Sequence, residues 1–467
     1  MLGTLSAASI AEARSQMGLT LSFHIVFACF GIALPAVVMI AHWIGLRHGD
    51  RDALLLARRW SKAMAVLVAV GAVSGTLLSF EMGLLWPGLM GKFGAAIGIP
   101  FSIEGIFFLI EAVFVAIYMF GWDRLPPWAH FWSIAPVVVS GVLGAWSVVA
   151  ANSWMNQPAG FKISDGHIYH VSPAAVFFNN ASWYEVPHMV LAAYMVTGFG
   201  VASVYAAGML RGRRDHDHRL GLLLPFALGA VCTPLQIGVG DTAARAVAAQ
   251  QPAKFAAMEY VVRTGRHVAE YLGGVFVNGT VHFGIRVPDL DSLLVGFSPN
   301  TRVVGIDSTP AKYRPPFPTL IHLSFDLMVA IGFALLACSA WLGWAWWRQR
   351  GFPRLRRSPT VFLVATALSG AAAVIAMEAG WVVTEVGRQP WIVYKVELVS
   401  QAVTTAGGVV FTLIAVLVIY PVLTLATVGA LWTLSVRWRR EGGAGAEEVP
   451  YGPQLPAAPT VAPREPT

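Results

Sequence analysis

The chain has 467 residues, of which 56% are hydrophobic and 12% are charged, and its net charge is +7. Soluble domains usually contain about 25% charged residues, so the composition excludes an ordinary soluble globule, and its high hydrophobicity excludes a disordered chain. The positive charge is spread over short loops, which argues against nucleic-acid binding. The three cysteines have neither paired nor metal-ligand spacing. We therefore interpret the chain as an all-α, polytopic integral membrane protein.

Nine apolar runs are long enough to cross a membrane as helices, since each crossing takes roughly 20 residues. They cover residues 17–46, 61–85, 96–121, 128–151, 183–210, 219–239, 319–347, 360–384 and 393–436. The last run is long, and its Pro421 predicts a bend or an extension beyond the bilayer. The chain is thereby divided into transmembrane helices 1–6 (1–239), a long loop (240–318), helices 7–9 (319–440) and a disordered cytoplasmic tail (441–467).

The basic residues predict the orientation of these spans. The loops after the first, fifth and seventh spans, and the segment after the ninth, are rich in arginine, whereas the alternate loops hold few basic residues. Since short basic loops stay in the cytoplasm, we expect the N-terminus outside and the C-terminus inside. The long loop 240–318 then lies outside, and loops of that length are usually functional.

Acidic residues inside membrane spans are costly and often functional. Glu104 and Glu111 lie two helical turns apart, on one face and about 10 Å apart along the axis. They predict a proton relay or a cation path, unless each is neutralised by a basic partner or stays protonated. Glu378 and Glu385 repeat this spacing. Arg388 is the natural ion-pair partner of Glu385, whereas Glu378 has no basic neighbour in sequence and could bind iron weakly.

Three further residues are candidate metal ligands. His24 lies early in the first span, toward the outer face, and neutral imidazole is the commonest metal ligand; a hydrogen bond to a neighbouring helix is the alternative. His188 in the fifth span and Met328 in the seventh could form an axial pair for a heme, a ligation that raises the reduction potential. A methionine in a membrane helix more often fills packing gaps, so spacing alone does not single out this pair.

Several longer motifs occur in order along the chain. They are Phe120-Gly-Trp-Asp-Arg124, Ala150-Ala-Asn-Ser-Trp-Met155, Gly240-Asp241, Gln251-Pro-Ala-Lys-Phe-Ala-Ala-Met-Glu259, Glu378-Ala-Gly-Trp381 and Gly387-Arg-Gln-Pro-Trp391. With the nine-span topology, they resemble subunit I of the cytochrome bd quinol oxidases over nearly the whole chain, from about residue 14 to 436.

The resemblance implies a terminal oxidase of the bacterial plasma membrane. It would oxidise ubiquinol or menaquinol at the outer face, reduce oxygen to water, and generate a proton gradient by charge separation. It also implies a second membrane subunit, cytochrome bd subunit II, and a small single-helix subunit as a further partner. The alternatives are a proton-coupled secondary transporter, which would explain the intramembrane acids, a heme sensor, and a bb-type oxidase of the same family that lacks heme d.

The resemblance also assigns cofactors. His188 and Met328 are expected to ligate a low-spin heme b. His24 and Glu378 are expected to ligate a high-spin heme b and a heme d, in an order that stays open, and a third heme b could replace heme d. Glu104 is expected to face the heme d iron or its protonation route, with Glu111 one step further along.

Four more residues gain expected roles from the resemblance. Lys254 and Glu259 are expected to bind quinol at the outer surface, where an exposed salt bridge is the alternative. Arg388 and Trp391 are expected to contact a heme. The loop is short, as in the branch that includes the cyanide-insensitive oxidases. Asp326 precedes the expected methionine ligand by two residues, where some members have an arginine, and an acid there favours the oxidised heme.

Overall fold

The computed structural model describes residues 2–164, 167–349, 360–444 and 450–451. The helices in these residues are α1 (Leu2–His48), α2 (Arg51–Leu85), α3 (Pro87–Gly121), α4 (Pro127–Trp132), α5 (Ala135–Asn156), α6 (Pro173–Phe177), α7 (Ser182–Leu210), α8 (His216–Gln250), α9 (Pro252–Met258), α10 (Leu290–Gly296), α11 (Pro318–Gln349), α12 (Thr360–Arg388), α13 (Val399–Ala402) and α14 (Val409–Ala444). The strands are β1 (Lys162–Ser164), β2 (His167–Tyr169), β3 (Glu270–Leu272), β4 (Val275–Val277), β5 (Thr280–His282), β6 (Ile285–Val287), β7 (Trp391–Val393) and β8 (Glu397–Leu398).

The number of membrane spans agrees with the sequence. Within the described part of the chain, nine helical segments are long and apolar enough to cross a membrane. They are α1, α2, α3, α7, α8, α11, α12 and α14, and the combined segment Pro127–Asn156 that contains α4 and α5. Many large apolar side chains on these helices are exposed in the isolated chain, as is expected of helices that face lipid or another subunit.

Short turns fix the first helices side by side. The Asp50 carboxylate accepts hydrogen bonds from the backbone N–H groups of Asp52 and Ala53, both at 3.1 Å, and so begins α2. Pro87 begins α3, where its missing N–H leaves no hydrogen bond unmade. These caps let α1, α2 and α3 follow one another with almost no connecting chain, and α1 packs along α2.

Helix α7 occupies the middle of the bundle and packs against α8, α12, α1 and α5. Glycines permit its closest contacts: a Cβ on Gly198 would lie 2.6 Å from the Pro225 carbonyl oxygen, and a Cβ on Gly370 would lie 2.9 Å from the Gly200 Cα. Small residues at helix crossings let backbones approach. Helix α11 also packs against α8 and α12 but makes little contact with α7, so α7 and α11 are separated and share α8 and α12 as neighbours.

The long loop between α8 and α11 is folded. Strand β3 pairs with β6 and β4 pairs with β5, both antiparallel, so that one hairpin is nested within the other. Helix α9 packs against α8, α11 and α12, and α10 packs against α8. The loop therefore lies over the ends of these helices and is anchored to three of them.

Several boundaries differ from those expected from the sequence, since α1, α2 and α3 all begin before the predicted runs. Two further differences change the limits of the loops. Helix α8 continues to Gln250, about three turns beyond the predicted start of the loop at residue 240. The ninth span begins at Val409 and not at residue 393. Pro390 and the Gly407–Gly408 pair break the helical pattern there, and the intervening residues form β7, β8 and α13. Pro421 lies inside α14, as expected.

The predicted disordered tail, residues 441–467, falls largely outside the described residues, since 445–449 and 452–467 are not described. Helix α14 extends into it, to Ala444. Further on, the Tyr451 hydroxyl lies 3.0 Å from His42 Nε2 and also forms a hydrogen bond with His130 Nδ1. Tyr451 is thus attached to α1 and α4.

Candidate heme and quinol sites

A cavity of about 830 Å³ opens between α1, α2, α3, α5 and α12. Four candidate residues from the sequence line it: His24, Glu104, Glu111 and Glu378. Ligand cavities in proteins usually measure about 300–1,000 Å³. The fold therefore brings a candidate metal ligand from α1, two acids from α3 and one from α12 to a space that can hold a large ligand.

His24 is held in a defined orientation at this cavity. Its Nδ1 lies 3.0 Å from the Ser74 hydroxyl oxygen, and that hydroxyl donates to the Val70 carbonyl at 3.0 Å. Because the serine proton is used in this way, Ser74 accepts from Nδ1–H, and the Nε2 lone pair is left for a ligand. A Cβ on Gly75 would lie 3.1 Å from His24 Cε1, so glycine provides the room for the ring. This arrangement fits a metal-binding imidazole.

The acids at the cavity have few polar contacts. The Glu378 carboxylate interacts with the Ser22 hydroxyl of α1. Glu111 approaches α1, since a Cβ on Gly31 would lie 3.8 Å from its Oε1. No salt bridge involves Glu104, Glu111 or Glu378 within the described ranges. The neutralising ion pairs considered from the sequence are therefore not formed, and the carboxylates are open to a ligand or to protons.

His188 lies on α7 beside α8. The Gln236 side-chain amide donates to its Nε2 at 3.2 Å, while its Nδ1 is buried without a partner, as is Gln236 Oε1. Buried polar atoms are rarely left unpaired. A Cβ on Gly240 would lie 3.3 Å from His188 Cε1, so the histidine occupies space that only glycine leaves. The unpaired nitrogen fits a residue that serves a further ligand.

Met328 lies on α11, the helix that packs against α8 and α12 and makes little contact with α7. A Cβ on Gly380 would lie 3.0 Å from its sulfur, so the thioether rests directly against α12. Two residues earlier, Asp326 accepts a hydrogen bond from the Gly273 backbone at 2.5 Å and lies 3.4 Å from His322 Nε2. The acid that replaces the arginine of some relatives is thus tied to the loop. His188 and Met328 thus lie on two helices, α7 and α11, that both pack against α8 and α12.

Lys254 and Glu259 lie at α9 and at its end, as expected, but neither is exposed. Their accessible fractions are 5% and 4%, and no salt bridge joins them in the described part of the chain. The alternative considered from the sequence, an exposed salt bridge between the two, is therefore not formed, because α9 packs between α8, α11 and α12. The Lys254 stem rests on Gly387, whose Cβ would lie 2.9 Å from Lys254 Cγ.

A polar network lies at the cavity, within electrostatic range of Lys254. Arg388 Nη2 donates to Glu385 Oε2 at 2.5 Å, and Asn152 Nδ2 donates to Glu385 Oε1 at 2.7 Å. The ion pair expected between Glu385 and Arg388 is therefore confirmed. Arg388 is buried, yet its Nε and Nη1 have no partner, and both it and Trp391 line the cavity. The two nitrogens of this buried guanidinium that have no partner fit an anionic ligand group at the cavity.

Two further buried acids were not singled out from the sequence. Glu185 accepts from Asn156 Nδ2 at 3.0 Å and lies within electrostatic range of Lys254. Glu81 accepts from Gln16 and Thr20 of α1, at 3.0 and 2.9 Å. Both are acids in apolar helical sequence, so the rule that selected Glu104 would have found them.

Comparisons with known proteins identify one family. Residues 12–437 match the family described as cytochrome bd terminal oxidase subunit I. The chain is 34% identical to a cytochrome bd menaquinol oxidase subunit I of Bacillus subtilis, over 90% of this chain and 95% of the relative. It is 29% identical to a cytochrome bd ubiquinol oxidase subunit 1 of the same organism, over 88% and 90%.

A solved structure shares the fold. The bd oxidase from Geobacillus thermodenitrificans matches with a TM-score of 0.86 and 32% identity, over 92% of this chain and 98% of that one. Such a match favours the oxidase over the transporter and the sensor, because it extends over nearly the whole of both chains. The chain belongs to the heme-containing subunit I family of the cytochrome bd quinol oxidases and is a multi-pass protein of the bacterial plasma membrane.

Proposed function

We propose that this chain carries both active sites of its quinol oxidase complex. Quinol is oxidised beside Lys254 and Glu259, and oxygen is reduced to water in the cavity beside His24 and Glu378. The cavity is the observation that supports this most strongly. It gathers an imidazole and three unpaired carboxylates from helices that are distant in sequence, although each such group is costly in a membrane.

His188 of α7 and Met328 of α11 would hold a low-spin heme b, through a ring nitrogen and the thioether sulfur. The unpaired Nδ1 of His188 and the glycines that flank the two side chains support this assignment. When bound, the hemes supply electron transfer and the iron at which oxygen is reduced. The protein orients them, excludes water and manages the protons.

His24 and Glu378 would hold the other two hemes, a high-spin heme b and either heme d or a third heme b. Ser74 supports the role of His24, because its hydrogen bond to Nδ1 orients the ring and raises the basicity of the free nitrogen. Arg388 and Trp391 lie at the same cavity. Arg388 Nε and Nη1, which have no partner in the described residues, would donate hydrogen bonds to a heme carboxylate.

Glu104 and Glu111 would move protons to the oxygen site. Both line the cavity and neither is neutralised by a basic partner in the described residues. We place the N-terminus outside, on the distribution of arginine, so the loop with Lys254 and Glu259 faces outward. Quinol protons leave on that side, protons for water come from the cytoplasm, and charge is separated without a pumping step.

Lys254 and Glu259 would position quinol and take its protons. Burial lowers the pKa of Lys254 to about 8, against the attraction of Glu185, so the ammonium is still the main form at neutral pH and can donate to a quinol oxygen. Burial and the nearby Asp291, Glu270 and Asp326 raise the pKa of Glu259 well above its usual range. A carboxylate with a high pKa is an effective acceptor for a hydroxyl proton.

The complex would contain cytochrome bd subunit II and a small single-helix subunit. The large apolar side chains that this chain exposes along its spans support partners or lipid on those faces. The quinol is ubiquinol or menaquinol, the two types named for the curated relatives. Oxygen uptake with each quinol, on one preparation of the complex, distinguishes them by the ratio of kcat to KM.

A reduced-minus-oxidised spectrum of the purified complex tests the heme assignment. We expect bands of a low-spin heme b and a high-spin heme b, and a far-red band for heme d; extraction that yields only heme b identifies the bb-type enzyme. Met328→Leu, which nearly conserves volume, should remove the low-spin band or lower its potential and leave the other bands. An unchanged low-spin band and potential would refute the pair of His188 and Met328.

A further inference from the structure

The folded loop contains two buried acids to which neither the sequence analysis nor the proposed function assigns a role. Asp291 is 0% exposed and Glu270 is 9% exposed. Both oxygens of Asp291 and Oε2 of Glu270 have no hydrogen-bond partner, and the same is true of Glu259 Oε2. Burying an unpaired carboxylate is costly, so these side chains are not explained by packing alone.

The three acids act on one another. The groups with an electrostatic effect on Glu259 are Asp291, Glu270 and Asp326, and Glu270 acts on Asp291. Asp326 has other partners, the Gly273 backbone and His322. The loop therefore contains a cluster made up only of acidic side chains: Glu259, Asp291 and Glu270. The first of them is the residue proposed to take the quinol proton.

The cluster is not arranged to bind a metal ion. In the described part of the chain, the groups whose ligand atoms converge within 4.8 Å lie around His216 and His218, far along the sequence from this loop. Buried carboxylates that neither pair with a base nor converge on a cation hold protons. In agreement, burial and Glu270 raise the pKa of Asp291 to about 8, and burial and Asp326 raise that of Glu270.

Two partly exposed side chains lie close in sequence to members of the cluster. Asp289 is the N-cap residue of helix α10, which carries Asp291. Asp289 Oδ1 lies 3.2 Å from His267 Nδ1. Both side chains are about half exposed. The Val268 backbone donates to the Ser292 hydroxyl at 2.9 Å, so the segment that leads from His267 to Glu270 is fastened to the start of α10. An imidazole and a carboxylate at the surface can pass protons to water.

We propose that Asp291 and Glu270 form the exit path for quinol protons, from Glu259 to the loop surface at His267 and Asp289. The inference rests on the proposed quinol site. Each quinol that gives two electrons to the oxidase loses two hydroxyl protons. Because the three acids hold protons at rest, Glu270 first releases its proton to the surface. Asp291 then passes its proton to Glu270, and Glu259 passes its proton to Asp291. The freed Glu259 carboxylate accepts one quinol proton, and the relay repeats. Glu259 is then a carboxylate again before the second proton leaves. Two quinols supply the four electrons that reduce one oxygen molecule.

The test compares Asp291→Asn and Glu270→Gln with Asp307→Asn in the purified complex. Asp307 is an exposed acid of the same loop, and asparagine keeps the oxygen that accepts from Thr264. We expect Asp291→Asn to lower kcat with quinol roughly 10–100-fold, to leave KM within about twofold, and to enlarge the solvent deuterium isotope effect. Oxygen uptake with an artificial donor that bypasses the quinol site should be unchanged. Asp291→Glu should restore most of the rate, and Asp307→Asn should resemble wild type.

Three results would overturn the inference: normal kcat with quinol in Asp291→Asn, a change confined to KM, or an equal loss with the bypass donor. If Asp291→Asn does not assemble, Glu270→Gln is subject to the same three criteria. Glu259→Gln on the same preparation separates this failure from that of the quinol site. A slow Glu259→Gln beside a normal Asp291→Asn refutes the exit path alone, whereas a normal Glu259→Gln refutes the quinol site as well.

Discussion

The membrane cavity and the folded loop each contain three acids that form no ion pair in the described residues, but in different surroundings. A fourth acid at the cavity, Glu385, pairs with Arg388. Glu104, Glu111 and Glu378 line a space of about 830 Å³, whereas Glu259, Glu270 and Asp291 are enclosed by protein and none of them lines it. Space beside a carboxylate allows a ligand to compensate its charge, and a carboxylate without such space is compensated by a proton. The same residue type thus suits a cofactor site in one region and proton transfer in the other.

The largest expected effect is at the point where the loop meets quinol. Glu259→Ala should lower oxygen uptake with quinol by about 10²–10⁴-fold, the usual contribution of a general base, because no other carboxylate then takes the hydroxyl proton. Uptake with the bypass donor should stay normal, since the cavity is untouched. Steady-state uptake with both donors measures this. Equal losses with both donors would mean that Glu259 serves assembly or heme retention.

The matching change in the cavity should affect both donors. His24→Ala removes the proposed iron ligand and should reduce oxygen uptake by at least about 100-fold, more than the 10–100-fold typical of losing a supporting hydrogen bond. Ser74→Ala removes only that hydrogen bond and serves as the graded control. Heme content and the high-spin band are recorded with the rates. Full heme occupancy and normal uptake in His24→Ala would exclude it as a ligand.

A smaller effect is expected from the proton path within the membrane. Glu111→Gln keeps the shape of the side chain and removes its titration. Oxygen uptake should fall about tenfold or more, while quinol still reduces the low-spin heme in a stopped-flow trace. This outcome would separate proton delivery in the cavity from proton release in the loop. Wild-type turnover would remove Glu111 from the path.

The smallest expected effect is the pH dependence due to Lys254. Burial lowers its folded pKa to about 8, so the ammonium form is present below that pH and is lost as the pH rises through it. The rate with quinol should therefore decline between about pH 7 and 9, a range in which an ordinary exposed lysine is still charged. The rate with the bypass donor should not decline. Lys254→Arg stays charged and should flatten the profile. A decline that is identical in Lys254→Arg would assign it to another group.

The comparison also marks what the sequence could predict. The nine spans were predictable because a membrane crossing needs a long apolar run, and the spacing of Glu104 and Glu111 follows from helix geometry alone. The start of the ninth span was missed because residues 391–399 are as apolar as a helix. The grouping of Glu259 with Glu270 and Asp291 was not predictable, since it depends on the pairing of β3 with β6 and on where α10 packs.

Tyr451 has a consequence for work with the protein. Its hydroxyl satisfies His42 and His130, both of which are fully buried, so a chain cut before residue 450 leaves two imidazoles without that partner. Each unsatisfied buried group costs about 1–3 kcal/mol. An affinity tag or fluorescent fusion should therefore leave Tyr451 in place. A shortened chain that lacks Tyr451 should melt at a lower temperature, even though the nine membrane-spanning segments of the described residues are intact.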